Sequence, residues 1–277
     1  MRVVLEGVEG RHPAASAGAL PAIADLSLSI DSAEQVAVIG PSGAGKTTLL
    51  QLIAAALKPL AGRVALDASD PWALSRTQLQ RLRGQLFYAP QTPPLPPRQR
   101  VVTALAAGRL PQMSLFESLA QLIYPRNLGP AIEALSAFDL SGKIWERVDR
   151  LSGGERQRVG LARILMSPAT LWLVDEPLSA LDPKRAGQAI DTLITQARAR
   201  NVTLITTLHQ VDVARTKFSR VIGLRDGRLA FDLPSSQVSP AILAALYAQH
   251  EHELSGAAAP FMDLAAEPAA ARIVHCR

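Results

Sequence analysis

Eight consecutive residues, Gly40, Pro41, Ser42, Gly43, Ala44, Gly45, Lys46 and Thr47, carry the glycine spacing and the closing Lys-Thr pair of a loop that cradles phosphate. Its glycines let backbone N–H groups turn towards phosphate oxygens, and Lys46 adds a point charge for the terminal phosphates. Thr47 offers a hydroxyl suited to Mg²⁺, and Thr48 continues the phosphate-binding run. A second group stands at Leu171 to Glu176, where four apolar residues end in two carboxylates. Asp175 is placed to hold Mg²⁺ through its water shell, and Glu176 to polarise a water attacking a terminal phosphate. The chemistry these two groups imply is hydrolysis of a nucleoside triphosphate.

Such a loop needs a strand to deliver it and a helix to leave it. Gln35 to Ile39 is a short apolar run suited to the strand, and Leu49, Leu50, Leu52, Ile53 and Leu57 have helical spacing, stopped by Lys58, Pro59 and Gly62. Arg2 to Val8 and Leu26 to Ile30 alternate as strands do, and Gly62 to Leu66 and Gln85 to Ala89 read as further strands. Thr92 to Pro97 is too rich in proline to continue a sheet and reads as a boundary loop or, more sharply, as a polyproline ligand. From Arg98 to about Met166 the segments look helical, with breaks at Pro111, Pro125, Gly129 and Gly142. Strands then resume at Leu171 to Val174 and Val202 to Leu208, separated by a helix from Lys184 to Arg200, the alternation of a parallel sheet. Val221 to Leu224 and Arg228 to Phe231 flank Asp226 and Gly227, a hairpin signal.

Composition narrows the classes. Of 277 residues, 48% are apolar and 19% charged, which excludes a largely disordered chain, while 4% aromatics argues against stacking on bases as the main task. The net charge of +5 has no dense basic block behind it, so no nucleic-acid partner is expected. The longest apolar run, Ile242 to Ala248, falls well short of the roughly 20 residues of a membrane span. Met1 to Glu9 lacks the features of an export signal, and the single cysteine, Cys276, fits a reducing cytosol. Beyond Glu251 the chain turns to Ala, Gly and Pro without periodicity, so residues 251–277 are expected to be a disordered tail.

Leu151, Ser152, Gly153, Gly154 and Glu155, followed by Arg156, Gln157 and Arg158, resemble the signature of ATP-binding cassette (ABC) ATPases. In physical terms, Ser152 and the N–H groups of Gly153 and Gly154 open a helix and form a second anion site. Three smaller matches follow the family's order. Gln91 resembles the glutamine that senses Mg²⁺ and the attacking water, Ser179 to Asp182 the loop that communicates across a dimer, and His209 the switch histidine that contacts the γ-phosphate. The resemblance spans about residues 2–248 and implies an α/β fold: a RecA-like P-loop NTPase core with an N-terminal antiparallel β subdomain and an inserted α-helical signature subdomain. On that reading residues 1–250 form one ATPase domain, with 1–91 and 167–250 as core and 92–166 as the helical part. It further implies a head-to-tail homodimer with ATP and Mg²⁺ sandwiched at its interface. The family usually stacks adenine on an aromatic residue after the first strand; here His12 is the nearest candidate, open to that role or to that of a solvated loop histidine.

What such a cassette drives must come from other residues. The short stretch between Gln91 and Leu151 leaves no room for the coiled coil of repair relatives, and a single phosphate loop disfavours the ribosome-associated ones. Ala107 to Leu110, Ser114 to Leu119, Leu208 to Asp212, Ile222 to Gly227 and Phe231 with Asp232 look like the ATP-binding subunits of phosphonate importers. That likeness implies an ATPase coupled to transport, peripheral to the cytoplasmic face of the inner membrane, working with membrane permease subunits and indirectly with a solute-binding protein. Another importer, a separate-chain exporter or a soluble cassette ATPase are the alternatives.

Overall fold

A computed structural model describes residues 1–12, 14–16, 18, 20–123 and 128–248. The expected tail at 251–277, Cys276 and the break at Pro125 lie outside the described residues. The first strands form a three-stranded antiparallel sheet in which β1 (Val3–Gly10) lies between β2 (Ile23–Ile30) and β4 (Ala61–Leu66). The second sheet joins β3 (Gln35–Ile39) with β5 (Leu86–Ala89), β6 (Leu171–Asp175), β7 (Thr203–Thr207), β8 (Arg220–Arg225) and β9 (Arg228–Pro234), in the order β5-β6-β7-β3-β8-β9. All pairings in it are parallel except β8 with β9. β3, β6 and β7 are buried along their whole length, as central parallel strands covered on both faces should be, and carry Gln35, Asp175, Thr203, Thr206 and Thr207 into the interior with them. β3 sits centrally, bonded to β7 on one side and β8 on the other.

The helices are α1 (Lys46–Ile53), α2 (Arg76–Arg83), α3 (Val101–Ala106), α4 (Leu115–Ile123), α5 (Gly129–Ser136), α6 (Gly153–Leu165), α7 (Pro183–Ala199), α8 (Val211–Lys217) and α9 (Pro240–Leu246). Eight residues make α1 too short to persist alone. Leu49, Leu50, Leu52 and Ile53 are all fully buried, and each contributes about 1.5–3 kcal/mol by leaving water. They pack with Val36, Val38, Leu171 and Leu173 and with Val3, Leu5 and Leu26 of the three-stranded sheet. On the opposite side of the large sheet, Leu105, Leu135 and Leu161 from the helical segment share one core with Trp172 and Leu204. The helical insertion is therefore packed directly onto the sheet that carries the acids.

Asp226 (φ 51°) and Gly227 (φ 75°) both take positive φ, the requirement of the tight hairpin turn expected there. A Cβ at Gly227 would lie 2.6 Å from the Ala22 carbonyl oxygen, so only glycine fits. Gly227 N–H donates to the Ala44 carbonyl at 3.3 Å, and its own carbonyl accepts from Ala24 N–H at 2.9 Å. This turn thus ties the phosphate loop to the small sheet. Two helices, α2 and α8, have no counterpart in the pattern read from the sequence, and Gly129, read as a break, instead opens α5. Among the described residues, no helix is long and apolar enough to cross a membrane.

Candidate functional site

β3 ends where the phosphate loop begins, and α1 starts at Lys46. Gly45 caps α1 in the left-handed region (φ 97°), and a Cβ there would lie 2.4 Å from the Ala22 carbonyl oxygen. Gly43 also has positive φ (81°) but nothing within 4 Å of its missing Cβ, leaving the outer side of the loop open. Pro41 and Ala44 are buried, Ser42 is exposed, and Thr48 is buried in the first turn of α1. Lys46, 5% exposed, folds back so that Nζ donates to the carbonyls of Gly40 at 2.8 Å and Pro41 at 3.2 Å. The ammonium is thereby held at the mouth of the loop.

Parallel pairing of β6 with β7 sets Asp175 opposite Thr207. Asp175, 3% exposed, accepts on Oδ1 from the Thr207 hydroxyl at 2.6 Å and on Oδ2 from the Thr47 hydroxyl at 2.8 Å. The Tyr88 hydroxyl reaches the same Oδ2 at 3.5 Å. Burial, then the charge of Asp175, pushes the Tyr88 phenol up to about 12, partly offset by a hydrogen bond from Gln51. A threonine hydroxyl beside a carboxylate is a hard oxygen pair of the kind Mg²⁺ takes when phosphates and water complete its shell. Among the described residues no group of three His, Cys, Asp or Glu could cage a metal unaided. The donor set therefore fits a Mg²⁺ that arrives with a nucleotide.

Glu176 follows in the left-handed region (φ 46°), costly for a non-glycine residue and held by neighbours. Its N–H donates to Thr207 Oγ1 at 2.9 Å, Oε2 accepts from Gln91 Nε2 at 2.8 Å, and Oε1 lies 2.5 Å from His209 Nε2. Burial pushes the Glu176 carboxyl up, but the hydrogen bond and charge of His209, with Lys46, outweigh it and hold the group below the usual glutamate range. Gln91, Glu176 and His209, far apart in sequence, thus converge on one carboxylate beside Asp175.

The signature residues form a different cluster. Ser152 caps α6: Oγ accepts from Glu155 N–H at 3.2 Å while Ser152 N–H donates to Glu155 Oε2 at 2.8 Å. The backbone bond from Ser152 chiefly holds Glu155 below its ordinary pKa, and Lys143 Nζ lies 3.4 Å away. Ser152 and Gly153 are exposed, nothing lies within 4 Å of a Cβ at Gly153, and one at Gly154 would lie 3.1 Å from the Ala180 carbonyl. Asp182, exposed, caps α7 by accepting from Arg185 N–H at 3.0 Å, with Pro183 in the first helical position. The signature thus packs on the Ser179 to Asp182 loop. His12 is exposed just beyond β1, and its Nδ1 accepts from Ala14 N–H at 3.2 Å.

Tyr88 and Thr207 were not singled out by sequence reasoning. For Thr207 the signal was its place two residues before His209 on a buried strand; for Tyr88 no local signal exists. A cavity of about 270 Å³ adjoins the acids, walled by Tyr88 and Asp175, by Pro93, Pro94 and Leu95 after Gln91, and by Leu110, Pro111 and Arg163 of the helical segment. The proline-rich stretch is therefore cavity wall.

The sequence profile described as ABC transporter matches residues 23–179. The phosphonates import ATP-binding protein PhnC 2 of Albidiferax ferrireducens is 58% identical, with 100% of both chains covered. The phosphonates import ATP-binding protein PhnC of Polaromonas sp. is likewise 58% identical over 100% of both chains. Among solved structures, the dimeric post-hydrolysis state of the ATP-binding cassette MJ0796, bound to ADP and Pi, superposes with a TM-score of 0.71 at 27% identity, covering 84% of this chain and 98% of that one. With a family profile over more than half of its length and relatives alike from end to end, this chain belongs to the ABC transporter family, in the group of those phosphonate import proteins.

Proposed function

We propose that this chain is the ATP-hydrolysing subunit of a phosphonate importer, acting as a homodimer on the cytoplasmic face of the membrane beneath permease subunits. The reading rests on one observation above the others: Glu176 is gripped by Gln91 and His209 next to an Asp175 that Thr47 reaches. The end-to-end likeness to phosphonate import proteins supplies the cargo class.

In this mechanism the amides of Gly43 to Thr48 wrap the phosphates, and Lys46 exchanges the Gly40 and Pro41 carbonyls for terminal phosphate oxygens. Thr47 and Asp175 would hold Mg²⁺, which neutralises charge between the outer phosphates when bound. Glu176, kept ionised, accepts a hydrogen bond from the attacking water, orients it in line and takes up its proton. Gln91 fixes the second carboxylate oxygen, and His209 exchanges Glu176 for the γ-phosphate as charge develops there. The Ser152 hydroxyl and the amides of Gly153 and Gly154 face the ATP of a second copy, and Asp182 lies beside that junction. His12 lies beside the base. Closure of two copies on two ATP molecules, followed by hydrolysis and reopening, moves the helical segment and the Gln91 loop, through which a permease is driven.

The test is to recover the tagged chain from gently solubilised native membranes with ATP and vanadate and to identify its companions by mass spectrometry. A multi-span permease with a phosphonate-binding protein is the expected result; ribosomes, DNA factors or a soluble homodimer alone would overturn the transport assignment.

A further inference from the structure

β5 and β6 run side by side, with Tyr88 opposite Leu173. The two acids at the end of β6 each meet one group from β5 or its continuation: Gln91 bonds Glu176, and the Tyr88 hydroxyl reaches Asp175 Oδ2. Oδ2 has two hydroxyl donors among the described residues, Thr47 and Tyr88. When Thr47 turns its hydroxyl to a metal ion, the Tyr88 hydroxyl is the remaining one of the two. The Thr207 hydroxyl keeps its hold on Oδ1 at 2.6 Å, but a buried Oδ2 left without a donor is costly, so the phenol adds to how firmly Asp175 is aimed. Tyr88 packs against the α1 side of the sheet and is also among the residues that line the cavity, with Leu110 and Pro111. We propose that Tyr88 is a positioning residue for Asp175, doing for the metal-holding acid what Gln91 does for Glu176, and linking that acid to the wall of the cavity.

This rests on the nucleotide–Mg²⁺ reading above. The test measures Mn²⁺ binding to the full chain with ADP by electron paramagnetic resonance, alongside ADP binding in EDTA and the thermal midpoint, for wild type, Tyr88→Phe and Tyr88→Leu. Tyr88→Phe keeps the ring and removes only the hydroxyl. The expected result is about a fivefold loss of Mn²⁺ affinity, with ADP affinity in EDTA and the midpoint unchanged. Tyr88→Leu is expected to match it in Mn²⁺ affinity while losing thermal stability. Wild-type Mn²⁺ affinity in Tyr88→Phe overturns the proposal, as does a loss that appears equally for ADP in EDTA or a much larger Mn²⁺ loss in Tyr88→Leu than in Tyr88→Phe. A wild-type chain that binds no ADP under either condition overturns the nucleotide reading itself, a failure visible without any variant.

Discussion

The acids at the end of β6 and the turn that opens α6 are both shaped for phosphate chemistry, yet they are held in opposite ways. Asp175 is buried and takes three hydroxyl donors from three separate elements, and Glu176 is gripped by Gln91 and His209. Ser152 and Gly153 are exposed, and the cap that steadies them, Glu155, comes from the same turn. The first region is finished within one chain; the second offers its amides and an open glycine face outwards. On the proposed function, a site divided in this way keeps its acids in place within one chain and makes turnover depend on what meets the signature turn.

The largest effect expected is from Lys46→Ala on the finished side: ATP affinity falls about 100-fold or more, read by calorimetric titration. Next, Glu176→Gln is expected to lower steady-state hydrolysis by about 100- to 1,000-fold while an ATP-bound dimer accumulates in light scattering; ordinary turnover in that protein would remove Glu176 from its role. On the open side, a Cβ at Gly153 has nothing within 4 Å among the described residues, so in Gly153→Glu the thermal midpoint and ATP binding by the monomer should match wild type while turnover drops about tenfold or more through lost dimerisation. Equal loss of monomer ATP binding would erase the contrast between the two regions.

A smaller effect concerns pH. Because His209 and Lys46 hold the Glu176 carboxyl below its ordinary range despite burial, its contribution to stability is present above the unfolded glutamate pKa and lost only as pH falls through the lowered value. The acid limb of the pH–rate profile should likewise lie below the ordinary glutamate range, and His209→Ala should move the limb in its residual activity upwards. Smallest is Asp182→Ala, which removes a helix cap and should cost about 1 kcal/mol in chemical denaturation, with monomer ATP binding unchanged.

The site was legible in the sequence where its parts are contiguous. The phosphate loop declares itself through glycines whose positive φ or close approach no other residue permits, as at Gly45, and the β6 acids through the apolar run that delivers them. Tyr88 and Thr207 gain their meaning from register with a neighbouring strand; His209 two residues on hints at Thr207, and nothing beside Tyr88 in sequence marks it. α2 did carry a signal, since Ser75 and Gln78 form a capping box, but its largely polar turns show little of an apolar stripe. Pro111, read as a break, lies inside a 3₁₀ turn over Ala107–Gln112, where the missing N–H is tolerated.

The place of β3 also bears on how the protein is made. Its ladder partners are Gln35 with Leu204 and Val36 with Arg220, so the strand that delivers the phosphate loop is translated long before either neighbour exists. A ribosome releasing this chain therefore exposes an apolar strand and a glycine-rich loop that must wait for the last third of the message. Prematurely terminated products that end before β7 will bear the full phosphate-loop motif and yet lack the sheet that shapes it, which makes them substrates for chaperones and proteases rather than weak ATPases.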